Sequence, residues 1–202
     1  MTELRPDQQL VGTLIAERNK VMDIGCGQGE FLAWLENERK VRGHGIEIDP
    51  KKVGTAVAKG LSVVQGDADT DLQYYADNGF DAVILGLTLQ VMKQPKEVLR
   101  EALRIGKKVY CTIPNFGYYY NRLYLTVKGR MPVSDTLSYQ WYETPNIHFC
   151  TIKDMVVLCE ELNCTIRERY IITAAGDARS FKGYGSFHAN LIAEQGVFVL
   201  EG

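Results

Sequence analysis

The sequence predicts an α/β protein built on a doubly wound, parallel β-sheet. Between Val21 and Pro114, short apolar segments with β-strand character alternate with segments whose apolar residues recur at helical spacing. The strand-like segments are largely apolar, as expected for parallel strands that are covered on both faces. Because successive parallel strands need helical crossovers, this alternation favours a sheet with helices on both sides.

The predicted elements of the first half follow one another closely. Strands are expected at 21–24, 44–48, 61–65, 81–85 and 109–113, and helices at 30–38, from residue 50 and at 95–105. In the first helix, Phe31, Leu32 and Leu35 share one face, which would pack on the sheet. Pro50 favours a helix start because its fixed φ suits the first turn, whereas Pro114 ends the last of these strands.

The second half of the chain has a different character. We expect an aromatic helix at 116–127, a loop at 129–146, a helix from residue 151, late strands at 165–173 and 197–200, and a glycine- and alanine-rich loop at 174–186. Thr151 and Asp154 are spaced as a variant of the capping box. The chain is therefore predicted to be a single domain, 1–202, with a cofactor-binding half at 19–114 and a C-terminal half at 115–202 that holds a substrate or partner region.

Composition argues against several classes of protein. The 202 residues carry a net charge of −2, so no overall basic field is available to hold nucleic acid or an anionic membrane. No apolar run approaches the roughly 18–20 residues that span a bilayer. The charged segment 1–10 lacks the apolar core of a signal peptide. We therefore predict a cytoplasmic protein with no nucleic-acid partner and no membrane partner.

The cysteines do not predict a cross-linked or metal-stabilised protein. There are five, an odd number, and no CxxC pair occurs. Disulfide frameworks are typical of small secreted proteins, and a structural zinc site needs clustered ligands. Most of the cysteines are therefore expected to be small buried hydrophobic residues, and no metal site is predicted; they are Cys26, Cys111, Cys150, Cys159 and Cys164.

A glycine-rich loop lies between the first predicted strand and the first predicted helix. It runs from Asp23 through Gly25, Gly27 and Gly29 to Glu30, in the pattern GxGxG. Dinucleotide-binding loops instead have the pattern GxGxxG and hold a pyrophosphate at the helix N-terminus, where the acid of this helix would repel it. No Gly-Lys-Ser/Thr string follows, so the pattern is not a P-loop. An isolated loop of this kind could be a simple turn, but the pattern favours a nucleoside ligand without phosphates.

Two acidic residues follow the next two predicted strands. Glu47 lies about 20 residues beyond the loop, where an acid binds the ribose hydroxyls in doubly wound folds. Asp67 follows the third strand at the same edge of the sheet and could accept a hydrogen bond from an exocyclic amine. Each acid alone could equally be a solvated loop carboxylate. Their order behind the glycine loop predicts a ligand site.

This arrangement resembles the class I S-adenosylmethionine-dependent methyltransferases. The resemblance implies that the glycine loop faces the methionine part of the ligand, that Glu47 holds the ribose and that Asp67 contacts the adenine. The segment from Leu85 to Gln90 would line the other side of the cofactor. The implied cofactor-binding residues are Asp23, Gly25, Cys26, Gly27, Gly29, Glu47, Ile48, Asp67, Ala68 and Leu85. The resemblance also implies a Rossmann-like, mostly parallel sheet of seven strands with an antiparallel C-terminal strand.

Longer strings resemble one family within that superfamily, the methionine biosynthesis protein MetW family. They include VMDIGCGQGE at 21–30, GRMPV at 129–133 and WYETPNIHFCT at 141–151, and the last two are specific to the family. The resemblance covers about 19–173. The chain departs from the family at Gln28, where an acid is usual, and at Gly86-Leu87, where a polar residue or two is usual. Both departures concern the methionine side of the pocket.

The resemblance implies a role in methionine biosynthesis. MetW-like proteins are associated with homoserine O-acyltransferase, MetX, as a partner needed for its activity. We therefore expect a protein that binds S-adenosylmethionine or S-adenosylhomocysteine and supports a MetX-like partner. We hypothesise that the nucleoside site senses the downstream product of the pathway. The alternative is an active methyltransferase with a small-molecule acceptor.

No catalytic group is evident, and methyl transfer needs few because the cofactor sulfonium is already activated. His148 is a weak candidate base or an anchor for its loop. Asn115 either contributes to a pocket or satisfies backbone groups beside Pro114. The tyrosines of the aromatic helix cover the cofactor, form a partner surface or pack in the core. The segment from Gly129 to Thr151 is the expected partner surface or substrate lid.

Overall fold

A computed structural model of the chain describes residues 4–134, 137, 139–182 and 187–202. The strands within these ranges are β1 (Lys20–Ile24), β2 (Arg42–Glu47), β3 (Val63–Gln65), β4 (Ala82–Gly86), β5 (Val109–Pro114), β6 (Thr165–Ile172), β7 (Ala178–Ser180) and β8 (Gln195–Glu201). They form one sheet in the order β3-β2-β1-β4-β5-β8-β6-β7. This sheet runs through both predicted halves of the chain.

Helices connect the strands and cover the sheet. They are α1 (Pro6–Leu14), α2 (Glu30–Arg39), α3 (Pro50–Ala58), α4 (Ala68–Asp71), α5 (Pro95–Ile105), α6 (Tyr119–Lys128), α7 (Ile152–Glu161) and α8 (Phe187–Ile192). Two short 3-10 turns cover Leu72–Tyr74 and Leu89–Val91. No helix in the described part of the chain is long and apolar enough to cross a membrane.

The doubly wound, mostly parallel sheet is confirmed. Strands β1 to β5 pair in parallel, and β8 lies antiparallel between β5 and β6. The two faces of β4 show why such strands are apolar throughout. Val83 and Leu85 pack in the cluster that contains α5 and α7, whereas Ala82 and Ile84 pack in the opposite cluster with α1 and α2. Helices therefore bury both faces of the sheet.

The predicted count of seven strands is wrong, because the described residues form an eight-stranded sheet. The additional strand β7 pairs antiparallel with the end of β6 and lies within the segment 174–186, which we expected to be a loop. All three residues of β7 are exposed, so no apolar alternation marks this short edge strand in the sequence. Residues 183–186 of that expected loop lie outside the described residues.

The other predicted elements agree with the structure apart from their ends. The aromatic helix begins at Tyr119 rather than at Phe116, and Thr151 and Asp154 form the expected capping box at the start of α7. Helices α1, α4 and α8 were not predicted. For α1, Pro6 in the first turn and the apolar positions Leu10, Val11 and Leu14 were the available signal.

The cysteines are free thiols, as expected. Cys26, Cys111 and Cys159 are buried, whereas Cys150 and Cys164 are partly exposed. Burial is the largest effect on the pKa of Cys26 and of Cys150, and it raises each to about 12. Both thiols therefore remain protonated at neutral pH and are poor nucleophiles.

Candidate functional site

The C-terminal ends of β1 to β4 meet at one edge of the sheet, where the strand order reverses between β1 and β4. Ligands of open α/β sheets bind at this reversal point. Two cavities open there, one of about 440 Å³ and one of about 150 Å³. Gly25 and Gly86 line both, so the two cavities adjoin. We call them the larger and the smaller cavity.

The glycine loop connects the end of β1 to the start of α2 and forms the floor of both cavities. Gly25, Gly27 and Gly29 have φ angles of 74°, 59° and 78°, which glycine adopts more readily than other residues. The backbone N–H groups of Gly25 and Cys26 donate to the carbonyl of Ile46 at 2.8 and 3.3 Å. These bonds attach the loop to the end of β2 and fix the floor of both cavities.

The three glycines differ in their surroundings. A Cβ atom at Gly27 would meet no heavy atom within 4 Å, and Gly27 lines the smaller cavity. A Cβ atom at Gly29 would lie 2.3 Å from Leu61 Cδ1, and Gly29 lines neither cavity. Gly27 is therefore open to a ligand, whereas Gly29 allows α2 to pack against the segment before β3.

Glu47 links the glycine loop to the end of β2. Its Oε2 atom accepts from the backbone N–H of Gly27 at 2.9 Å, and its Oε1 atom accepts from that of Asp49 at 3.0 Å. The side chain is buried but lines the larger cavity. A carboxylate has about four lone-pair positions, so each oxygen keeps an acceptor position for a ligand.

Asp67 and Ile48 also line the larger cavity, together with Ala68. Asp67 Oδ1 accepts from the backbone N–H of Asp69 at 3.0 Å and thereby caps α4. Its Oδ2 atom is 3.9 Å from Lys93 Nζ, and 30% of its side chain is exposed. Ile48 is 60% exposed and supplies apolar surface. The predicted residue Leu85 is fully buried in the core and lines neither cavity.

Arg5, the N-cap residue of α1, and Asp7, in its first turn, line the smaller cavity, and neither was predicted as a site residue. Arg5 donates from Nε to Asp7 Oδ1 at 3.0 Å and from Nη2 to Asp7 Oδ2 at 3.2 Å. Arg5 Nη2 also lies 3.5 Å from the carbonyl of Gly86. Together with Asp23 and Cys26, these residues surround a small polar chamber. Glu30 also lines the chamber, which therefore offers one cation, three carboxyl groups and backbone groups.

Asp23 is the titratable group of this chamber. Desolvation raises its pKa most strongly, Arg5 lowers it, and the charges of Glu47 and Asp7 raise it further, to about 7. Near neutral pH, this carboxyl group therefore exists in both protonation states. A ligand ammonium group beside it would favour the ionised form.

This shift predicts a specific dependence of stability on pH. The folded protein binds the Asp23 proton more tightly than the unfolded chain, whose carboxyl pKa is near 3.8. The free energy of unfolding should therefore decrease as pH rises from about 4 to about 7, by up to about 1.4 kcal/mol per pH unit. Asp23→Asn removes this contribution. Urea unfolding of both proteins at pH 5, 6, 7 and 8 measures it, and a constant difference between them would contradict it.

The weak catalytic candidate His148 lies outside both cavities. Its ring is exposed, and its backbone N–H donates to the carbonyl of Gln90 at 3.0 Å, next to a similar bond from Ile147 at 3.1 Å. The backbone of this residue therefore anchors the loop. Asn115 lines neither cavity. Its Nδ2 donates to the carbonyls of Asn190 and Ala193, which are distant from Pro114 in the sequence.

The aromatic helix and the segment after it contribute little to the cavities. None of the tyrosines in α6 lines either one, and of the described residues of 129–151 only Pro145 does. Several large side chains of this segment are exposed, among them Trp141 at 70% and Tyr142 at 66%. Residues 135, 136 and 138 lie outside the described residues. Across the described part of the chain, no group of three His, Cys, Asp or Glu residues could hold a metal ion.

Solved structures of known proteins share this architecture. An S-adenosylmethionine-dependent methyltransferase from Thermotoga maritima has a TM-score of 0.69 and 19% identity, over 96% of this chain and 87% of that one. The [4+2]-cyclase SpnF has a TM-score of 0.66 and 18% identity, over 96% and 79% of the two chains. Identities this low bear on the fold alone. The fold is that of the class I S-adenosylmethionine-dependent methyltransferases.

Within that class, the sequence identifies one family. The family model described as methionine biosynthesis protein MetW matches residues 5–200, so this chain belongs to the MetW family. A bifunctional methionine biosynthesis protein MetXA/MetW from Rhodopirellula baltica is 31% identical over 174 residues, which are 82% of this chain and 28% of that protein. This chain thus spans little more than a quarter of that relative. A demethylmenaquinone methyltransferase from Shouchella clausii is 25% identical over 170 residues, 72% of each chain.

Proposed function

We propose that this chain binds S-adenosylmethionine or S-adenosylhomocysteine in the two adjoining cavities and supports a MetX-type homoserine O-acyltransferase by direct association. The observation that carries the binding half is the position of Glu47, which is hydrogen-bonded to the glycine loop and faces the larger cavity. The observation that carries the partner half is the Rhodopirellula relative, whose name joins MetXA and MetW in one protein.

The larger cavity suits the nucleoside part of the ligand. Glu47 would accept hydrogen bonds from both ribose hydroxyls, since a carboxylate has an acceptor on each oxygen. The apolar surface of Ile48 would cover one face of the adenine, and Asp67 would accept from its exocyclic amine. The acidic residues of this cavity outnumber the two lysines that also line it, which favours a ligand without phosphates.

The smaller cavity suits the amino-acid part of the ligand. The Arg5 guanidinium would pair with the ligand carboxylate, because Arg binds carboxylates through two parallel N–H groups. Asp23 and the carbonyl of Gly86 would accept from the ligand ammonium group. Because Arg5, Asp23 and Gly86 line the same small chamber, both charged ends of an amino acid would fit within it.

Calorimetric titration with S-adenosylmethionine and, separately, with S-adenosylhomocysteine tests the binding half. We expect saturable binding of one molecule per chain. Absence of binding by the isolated chain and by its mixture with the acyltransferase would reject this half of the proposal. Conversion of S-adenosylmethionine to S-adenosylhomocysteine by the chain alone, with a small-molecule acceptor, would instead support the alternative of an active methyltransferase.

The partner half predicts a separation of functions at Trp141. This residue lies in the family-specific segment 129–151, and exposed aromatic residues are enriched at protein interfaces. We expect Trp141→Ala to weaken association with the MetX-type acyltransferase of the same organism about tenfold or more. Trp side chains that become buried in an interface are frequent hot spots of binding. Its affinity for S-adenosylhomocysteine should change less than twofold.

Tyr74→Ala is the matched control for that experiment, because Tyr74 is 81% exposed and lies outside the segment. Association is measured as binding of each variant to surface-immobilised acyltransferase, and the affinity for S-adenosylhomocysteine is measured by calorimetry. Equal association of both variants with the acyltransferase would reject segment 129–151 as the contact surface. Loss of both activities in the Trp141 variant would indicate misfolding rather than a lost contact.

A further inference from the structure

Helix α7 ends in a hydrogen-bonding pattern that brings two cysteines together. Asn163, just past the helix, has a φ angle of 54°. Its N–H donates to the carbonyl of Glu160 at 3.1 Å, and the N–H of Cys164 donates to the carbonyl of Cys159 at 3.0 Å. These two bonds around a left-handed residue define a Schellman motif, in which the side chains at the positions of Cys159 and Cys164 commonly contact each other.

The backbone geometry places the two cysteines within the reach of a disulfide. The bond of 3.0 Å joins the Cys164 nitrogen to the Cys159 oxygen. With standard backbone bond lengths, it limits the separation of the two Cα atoms to about 7 Å, which a disulfide can span. Both side chains also face the same interior cluster, because Cys159 belongs to it and Cys164 packs against it. The motif therefore permits a bond between the two sulfur atoms.

The two thiols differ in access and in acidity. Cys164 is partly exposed, whereas Cys159 is 1% exposed. The pKa of Cys164 is lowered from its ordinary value, chiefly because the Cys159 thiol donates to its sulfur, while partial burial opposes this shift. The same interaction and burial raise the pKa of Cys159, although the charge of Arg169 lowers it. An accessible, acidic thiol beside a second cysteine is typical of redox-sensitive pairs.

The other three cysteines lack this combination. Burial is the largest effect on the pKa values of Cys26, Cys111 and Cys150, and it raises each of them. Cys150 shares the partial exposure of Cys164. Because the thiolate is the nucleophile, Cys150 offers similar access with much less of the reactive form. It is therefore the matched control for Cys164.

We propose that Cys159 and Cys164 are a redox modification site, at which a low-molecular-weight disulfide such as oxidised glutathione joins the two sulfur atoms. The Cys164 thiolate attacks one glutathione sulfur and forms a mixed disulfide. The first glutathione leaves as a thiolate and takes up the proton that Cys164 lost. The Cys159 sulfur then attacks the Cys164 sulfur, and its proton passes to the departing second glutathione. The two protein thiols are thus oxidised to one disulfide, and one oxidised glutathione is reduced to two glutathione molecules.

The site is separate from the proposed nucleoside site. Neither cysteine lines the larger or the smaller cavity, so the proposal does not depend on nucleoside binding. The new bond would connect the last turn of α7 to the residue before β6, within a motif that is already formed. Disulfides of this kind in reducing compartments are transient and redox-sensing rather than structural.

Oxidation of the full chain by glutathione tests the proposal. The protein is equilibrated with mixtures of oxidised and reduced glutathione, alkylated, digested with trypsin and a Glu-specific protease, and analysed by mass spectrometry. Glu160 and Glu161 lie between the two cysteines, so digestion separates Cys159 from Cys164 unless a disulfide joins them. We expect this cross-link to form and to be reversed by excess reduced glutathione. Absence of a cross-link, or a cross-link between other cysteines, would overturn the proposal.

The order of reaction is tested by time points and by three variants. In the wild-type chain, the mixed disulfide at Cys164 should precede the cross-link. Cys164→Ser should take up glutathione more slowly than the wild type, by about tenfold or more, whereas Cys150→Ser should react like the wild type. Cys159→Ala should accumulate the mixed disulfide at Cys164, because the resolving thiol is gone. Wild-type rates of uptake by the Cys164 variant, or first attachment of glutathione to another cysteine, would contradict the assignment.

Discussion

Glu47→Gln should weaken the binding of S-adenosylhomocysteine about 100-fold, which corresponds to about 2.7 kcal/mol. In the wild-type protein, both carboxylate oxygens accept backbone N–H groups and face the larger cavity. A glutamine amide has one acceptor oxygen, and its NH₂ group would point at one of these N–H donors. The ligand would therefore lose a charge-assisted hydrogen bond, and the glycine loop would lose one of its attachments.

Calorimetry measures this effect, and Glu36→Gln is the matched control. Glu36 also accepts a backbone N–H, from Gly43 at 3.2 Å, but it lines neither cavity. We expect the control to retain wild-type affinity. Unchanged affinity of the Glu47 variant, in a protein with a normal unfolding transition, would remove Glu47 from the site.

The second large effect concerns folding rather than binding. Gly29→Ala should lower the free energy of unfolding by about 3 kcal/mol, because two penalties act at this position. The added Cβ would lie 2.3 Å from Leu61 Cδ1 and 3.2 Å from Ala56 Cβ, and both of these residues are buried. The φ angle of 78° is also unfavourable for alanine.

Gly27→Ala separates these two penalties. Its φ angle of 59° is similarly left-handed, but no heavy atom would lie within 4 Å of the added Cβ. Urea unfolding should show a loss of about 1 kcal/mol for this variant, from backbone strain alone. Because Gly27 lines the smaller cavity, its added methyl group should impair ligand binding more than that of Gly29. Equal destabilisation by both substitutions would show that the contact with Leu61 relaxes.

The fold of this chain is shared by proteins with different activities. Its structural relatives include both a methyltransferase and a protein described as a [4+2]-cyclase. One fold commonly carries several activities, because activity depends on the groups in the site. In this chain, no tyrosine of α6 reaches the larger or the smaller cavity, and neither does His148.

The sequence determined the parallel sheet, the glycine loop and the acids at the strand ends, because these features depend on local patterns. Apolar strands, positive φ at glycine and the end of a strand are all visible over a few residues. The sequence also determined the family, since its specific strings lie within 10 or so residues each. It did not reveal β7, whose exposed residues carry no alternation.

Only the tertiary structure decided what surrounds these local features. It brought Arg5, the N-cap residue of α1, and Asp7 of its first turn against the glycine loop, across more than 15 residues of intervening chain. It also buried Asp23, and this desolvation raises the pKa of the carboxyl group to about 7, although the nearby Arg5 charge lowers it. Contacts between distant segments and the burial of charge arise from packing, and a single sequence carries no local record of either.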